Sequence, residues 1–208
     1  MAHVPKSTTE KIATLSFADA LARRTEPCAY DRAKWIYVPD TYEEYRYLLG
    51  TVGDKPLVCI GINPSTAHPD HLDNTLKSVE RIAHANGYDS FLMINVYAQR
   101  ATDPDDMEKS CNLSLHRENC AALRYALGLT KSGKPALWAA WGAIIRTRPY
   151  LFDCVEDMIA VGEECEAQWF TAGARSRHGG HPHHPLYLRS DTPLDPFDPA
   201  AYVRENRG

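Results

Sequence analysis

Residues 56–66 read PLVCIGINPST: a nearly continuous apolar run, Pro56–Ile62, stopped by Asn63-Pro64. A run without apolar–polar alternation needs cover on both faces, as a buried parallel strand has. The residues downstream extend this pattern. Leu72, Leu76, Val79, Ile82 and Ala83 recur at helical spacing, and Gly87 stands where a helix would stop. Phe91–Tyr97 (FLMINVY) is a second buried run, and Ala136–Trp141 (ALWAAW), closed by Gly142, is a third. Ser114–Leu127, between them, is helical in pattern, with Leu115, Ala122, Leu123 and Ala126 on one face. A further helix is expected within Ala143–Ala160, interrupted at Pro149, and a short fourth strand at Ala167–Thr171. The alternation predicts an α/β fold: a three-layer, open, mostly parallel four-stranded sheet with helices on both faces.

The flanks read differently. Residues 1–41 form an N-terminal extension, with a helix near Lys11–Arg24 and an aromatic strand at Trp35–Val38; a second strand, Tyr45–Leu49, opens the 42–190 domain. Residues 191–208, with Pro193, Pro196 and Pro199, read as a loop-like tail. The whole has 208 residues, enough for one domain with extensions and a sizeable core. No apolar run approaches the ~20 residues of a membrane span, and the first residues lack the apolar stretch of an export signal. A cytoplasmic protein with no membrane partner is therefore expected. Its six cysteines show no CxxC spacing and read as buried thiols. The net charge of −4 argues against coating nucleic acid by bulk charge. That charge is uneven: residues 151–166 hold six acids and no Lys or Arg, whereas Thr171–Ser190 holds Arg175, Arg177, Arg189 and four histidines without an acid.

In open parallel sheets, ligands bind outside the carboxyl ends of the strands. Those ends are where the unusual residues fall. The first strand runs into Gly61-Ile62-Asn63-Pro64-Ser65, the second carries Asn95 inside an apolar run, the third ends in Trp141-Gly142, and the fourth leads to His184-Pro185. Each alone has an ordinary explanation: Asn-Pro-Ser as a turn, Asn95 as a satisfied buried amide, Trp141 as packing. Four such ends converging on one crevice is the stronger signal.

GINPS at 61–65, FLMINVYAQR at 91–100, ALWAAWG at 136–142 and HPLYL at 184–188, in that order, resemble the motifs of the uracil-DNA glycosylase superfamily. With Tyr45-Arg46-Tyr47 and Ala101-Thr102-Asp103-Pro104, they resemble still more closely a bacterial and phage domain family of unknown function. The resemblance covers about residues 42–190. It implies a glycosylase-like fold and hydrolysis of the N-glycosidic bond of a deaminated, damaged or modified nucleobase. Asn63 would position the water, and His184 would donate to the base oxygen that gains charge. Gly61, Pro64, Ser65, Asn95, Tyr97, Trp141, Gly142 and Pro185 would form the base site. Asn95 would read the base edge and Tyr97 would stack on it. Arg175, Arg177 and Arg189 would grip phosphates. The expected partner is nucleic acid, a nucleoside or a nucleotide, with no cofactor and no metal. The chain departs from the superfamily in three places: Asn63 stands where the fastest uracil enzymes carry Asp, Leu186 where a serine usually follows His-Pro, and Ser65-Thr66 where known branches carry a small glycine or a bulky tyrosine near the first motif.

Two other classes of function fit the same residues. One is a binding module that holds a nucleotide or modified base without cleaving it. The other is a metal-dependent hydrolase drawing on His178, His181, His183 and His184 with His68, Asp70, His71 and Asp73, although no ligand spacing such as HExxH is present.

Overall fold

A computed structural model describes residues 2–207. In chain order they form α1 (Phe17–Ala22), β1 (Trp35–Val38), β2 (Leu48–Thr51), β3 (Pro56–Gly61), α2 (Asn74–Ala85), β4 (Ser90–Asn95) and α3 (Leu113–Gly128). β5 (Ala136–Ala139), α4 (Tyr150–Glu164), β6 (Gln168–Ala172), β7 (Leu194–Pro196) and α5 (Pro199–Asn206) complete them. The strands make one mixed α/β sheet in the order β1-β2-β4-β3-β5-β6-β7. Its centre, β4-β3-β5-β6, is parallel, and its edges pair antiparallel. The sheet thus has seven strands, correcting the expected four. The additional three lie at the edges: β1 falls on the expected aromatic strand, β2 overlaps the strand expected over Tyr45–Leu49, and β7 is a short segment with no pattern of its own that pairing with β6 stabilises.

Every residue of β3 and β4 is buried, because helices cover both faces. On one face Leu57, Cys59, Phe91 and Met93 pack with Leu76, Val79, Ile82 and Ala83 of α2. On the other, Val58, Ile60, Leu92 and Ile94 meet α1, α3, α4 and α5 through residues such as Phe17, Leu123, Val155 and Tyr202. Alternate residues of one strand therefore serve two cores, which is why the run reads as uniformly apolar.

Local chemistry sets several ends. Asp73 caps α2 by accepting the Leu76 N–H, and Gly87 follows at φ +78°. Pro149 caps α4 after a 3₁₀ turn over Ala143–Thr147, so the expected interruption separates two elements. The helix expected near Lys11–Arg24 is shorter: Ser16 caps it by accepting the Asp19 N–H, and it ends at Ala22. The strand expected over Tyr45–Leu49 begins three residues later, since Tyr45 makes only an isolated bridge to Gln99. The tail is no loop. Leu194–Pro196 extends the sheet, and Pro199 opens a helix capped by Asp198, where a proline's missing N–H costs nothing.

β3 is where the chain changes direction. Its successor β4 lies on one side and β5 on the other, with α2 and α3 on opposite faces. Loops leaving such a point diverge and open a crevice at the carboxyl edge of the sheet.

Candidate functional site

The crevice holds a cavity of about 400 Å³, a volume suited to a small ligand. Gly61, Asn63 and Ser65 line it from the end of β3, Asn95 from the end of β4, and His184 from beyond β6. The structure thus brings together five of the residues singled out at the strand ends.

Each is held by its surroundings. Asn63 Nδ2 donates to the Ala101 carbonyl at 2.7 Å and to that of Pro64 at 3.3 Å, leaving Oδ1 as an acceptor with no donor among the described residues. Asn95 is 1% exposed; its backbone carbonyl accepts from Asn119 Nδ2 at 2.7 Å, and its Oδ1 accepts from Arg46 Nη2 at 3.3 Å. Its Nδ2 has no acceptor among the described residues and faces Gly61, where a Cβ would come within 2.9 Å of it and 2.5 Å of Met93 Cε. Glycine at 61 is therefore a matter of space.

His184 precedes a 3₁₀ turn, Pro185–Tyr187, and its Nδ1 accepts the Leu186 N–H at 3.4 Å. That assigns the proton of the neutral ring to Nε2. Burial holds the imidazole below its ordinary pKa, and the charge of Asp73 only partly opposes this. His184 at neutral pH is thus a neutral donor. Gly142 at φ +65° turns the chain beside it, with His184 Cβ 3.8 Å from where a Cβ would sit.

Other expected site residues lie elsewhere. Tyr97 is fully buried beneath the loop, its hydroxyl donating to Glu108 and accepting the Asn112 N–H at 2.9 Å, so it has no face for a base. Trp141 is likewise buried, packed with Trp169, Phe197 and Tyr202. Pro64 and Pro185 are buried in the backbone turns that carry Asn63 and His184. Arg175, Arg177 and Arg189 are exposed and do not line the cavity. Arg189 pairs with Asp191, and Arg175 lies 5.7 Å from the Phe197 ring.

Several wall residues lie outside the expected base site, although Arg46, Asp73 and Tyr187 each fall in a stretch singled out above. Asp73 is the one carboxylate among the lining residues, and Asn74 and Thr75 follow it at the start of α2. Tyr187, 81% exposed, stands with its ring 5.9 Å from that of His184 and is the aromatic that reaches the cavity. Arg46 lies at the inner wall. Asp73 is expected above only as a metal ligand, and Arg46 and Tyr187 only as parts of short motifs, with no role in the base site.

The remaining histidines are dispersed. His181 Nδ1 bonds the Tyr202 hydroxyl at 2.7 Å, and His68 and His71 pair over a neighbouring cavity lined also by Tyr30, Tyr37 and Tyr42. Among the described residues, no three His, Cys, Asp or Glu side chains are grouped to hold a metal ion. No helix there is long and apolar enough to cross a membrane.

Burial lowers the pKa of His68, His116, His181 and His184 alike. Below the ordinary value of about 6.5 the unfolded chain binds protons that the folded chain refuses, so stability falls as pH falls. The urea midpoint is expected to be lower at pH 5.5 than at pH 7.5. An equal or higher midpoint at pH 5.5 would contradict this balance.

The fold and cavity define an open-sheet α/β protein with a polar, ligand-sized site at its carboxyl edge. The chain belongs to the family described as protein of unknown function (DUF1643), whose model matches residues 46–186. That span takes in Arg46, Asn63, Asn95 and His184, and bears out the resemblance to a family of unknown function. No curated protein and no solved structure gives a match.

Proposed function

We propose that the cavity is the active site of an N-glycosidase of the uracil-DNA glycosylase kind, removing a deaminated, damaged or modified base from nucleic acid or a nucleotide. The observation that carries this reading is that Asn63, Asn95 and His184, from three separate strand-end loops, line one cavity of about 400 Å³. Cleaving an N-glycosidic bond requires a held water, a donor toward the departing base and a pocket for that base. Asn63 Oδ1, its amide nitrogen anchored on Ala101, accepts from the water. The water oxygen bonds to the anomeric carbon while the C–N electron pair leaves with the base. His184 Nε2–H donates to the base oxygen on which that charge collects. Asp73 takes the proton the water loses and offsets the positive charge on the sugar. Asn95 Nδ2 donates to the base edge, and Tyr187 covers the mouth. The exposed Arg175 and Arg177 lie on the loop leading to His184 and supply charge for phosphates beyond the cavity.

The test is incubation with single- and double-stranded oligonucleotides carrying a panel of altered bases, followed by alkaline cleavage of abasic sites. Strand breaks with at least one base are expected. No product with any base, together with Asn63→Ala and His184→Ala binding base analogues as the wild type does, overturns the reading. Binding without cleavage, lost in those variants, would favour a non-catalytic nucleotide-binding module.

A further inference from the structure

Arg46 is the wall residue that the proposed chemistry leaves unused. It is 1% exposed, just ahead of β2. Its guanidinium spends two donors, Nη1 on the Ala67 carbonyl at 3.2 Å and Nη2 on Asn95 Oδ1 at 3.3 Å. Three of its five N–H groups have no partner among the described residues, the buried Nε among them. No carboxylate lies within ion-pair distance of it among those residues, although the charge of Asp73 acts on it from farther off. A second arginine intensifies the field. Arg100, fully buried, also donates to the Ala67 carbonyl at 3.3 Å, bonds the Tyr37 hydroxyl at 2.9 Å, and stacks 4.2 Å from the Tyr42 ring. Burial, with Arg100 alongside, lowers the Arg46 pKa to about 9, which leaves it protonated at neutral pH.

Taking a guanidinium out of water is costly unless a counter-charge meets it. Asp73, the sole lining acid, makes no ion pair with Arg46 and spends one oxygen on the Leu76 N–H at the start of α2. The α2 amino end adds its own positive dipole to the same wall. Asn95 contributes only its amide donor, because its carbonyl faces Arg46. The inner wall is thus rich in donors and poor in acceptors.

We propose that Arg46 and Asn95 form a subsite for an anionic oxygen group of the ligand, a carboxylate or a phosphate. The inference rests on reading the cavity as a nucleobase or nucleotide site, and it names what distinguishes that ligand: an acidic group rather than the neutral edge of uracil. The anion accepts from the Arg46 donors and from Asn95 Nδ2, completing a guanidinium that the fold leaves half-satisfied.

Calorimetry with matched probes tests it: 5-carboxyuracil against uracil for the carboxylate, and uridine 5′-monophosphate against uridine for the phosphate. A charge-assisted bond to a buried arginine implies a preference of about 10- to 100-fold for one anionic probe over its neutral partner. The pair that shows it identifies the source of the anion. Arg46→Gln is expected to erase the preference and Arg46→Lys to keep part of it. Asn95→Asp supplies a carboxylate from within, so it is expected to raise Tm and also abolish the preference, whether or not Arg46→Gln folds. Equal affinity within both pairs, or a preference that survives Asn95→Asp, overturns the subsite. The outcome is separable from the glycosidase reading. Cleavage of neutral bases without anion preference removes the subsite alone, whereas anion preference without cleavage of any base removes the glycosidase alone.

Discussion

On an oligonucleotide whose altered base the wild type removes, His184→Ala is expected to lower kcat by about 10²–10³-fold with KM little changed. The size is that of losing one preorganised donor to an oxyanion. The pattern follows from the timing of the interaction, since charge collects on the base only as the bond breaks, and a donor used only then affects kcat rather than binding. Geometry makes the donor specific. The Leu186 N–H occupies Nδ1, so Nε2 holds the proton, and burial keeps the ring neutral. Asn63→Ala is expected to cost a similar factor by releasing the water, because its amide nitrogen is already anchored on Ala101 and its oxygen has no donor among the described residues. Single-turnover kinetics would check both. A kcat unchanged in either variant would remove that residue from the mechanism.

Trp141→Ala is expected to destabilise the fold by about 3–5 kcal/mol, the range for deleting a large buried aromatic. That is a large part of the roughly 5–15 kcal/mol by which domains are stable. Trp141 is fully buried, with ring centroids 6.2 Å from Trp169, 6.2 Å from Phe197 and 5.9 Å from Tyr202. These partners belong to β6, the segment after β7, and α5, so the indole ties the C-terminal elements to the sheet. Urea unfolding would measure the loss. A cost below about 1 kcal/mol combined with lost ligand binding would instead return Trp141 to the site.

How far the sequence could be read depended on where each residue's partners came from. The central strands were legible because residues buried on both faces must be apolar, and β3 to β6 lie within one or two residues of the expected runs. The edges were not. Leu194–Pro196 is a strand only because β6 offers its unpaired backbone, and the tail helix depends on the Trp141 cluster beneath it. The same division runs through the site. Asn63, Asn95 and His184 stood out as polar residues at the ends of apolar runs. Arg46 and Asp73 show only as part of a short motif and of a possible ligand set, and their place in one cavity emerges only when the chain is folded. Tyr97, expected to stack on the base, could not be told from Tyr187, because which one faces the cavity depends on whether Glu108 and Asn112 close over the first.

Apolar patterning alone therefore defined the class of fold and the edge of the sheet at which a ligand would sit, since burial acts on each strand locally. The charge of the cavity was decided elsewhere. Crossovers on opposite faces of β3 bring Arg46, Asp73 and His184 to a single wall from segments far apart in the chain. A buried guanidinium acquires its meaning only from the want of an ion-pair partner within that cavity, which is a property of the assembled cavity and of no single stretch of residues.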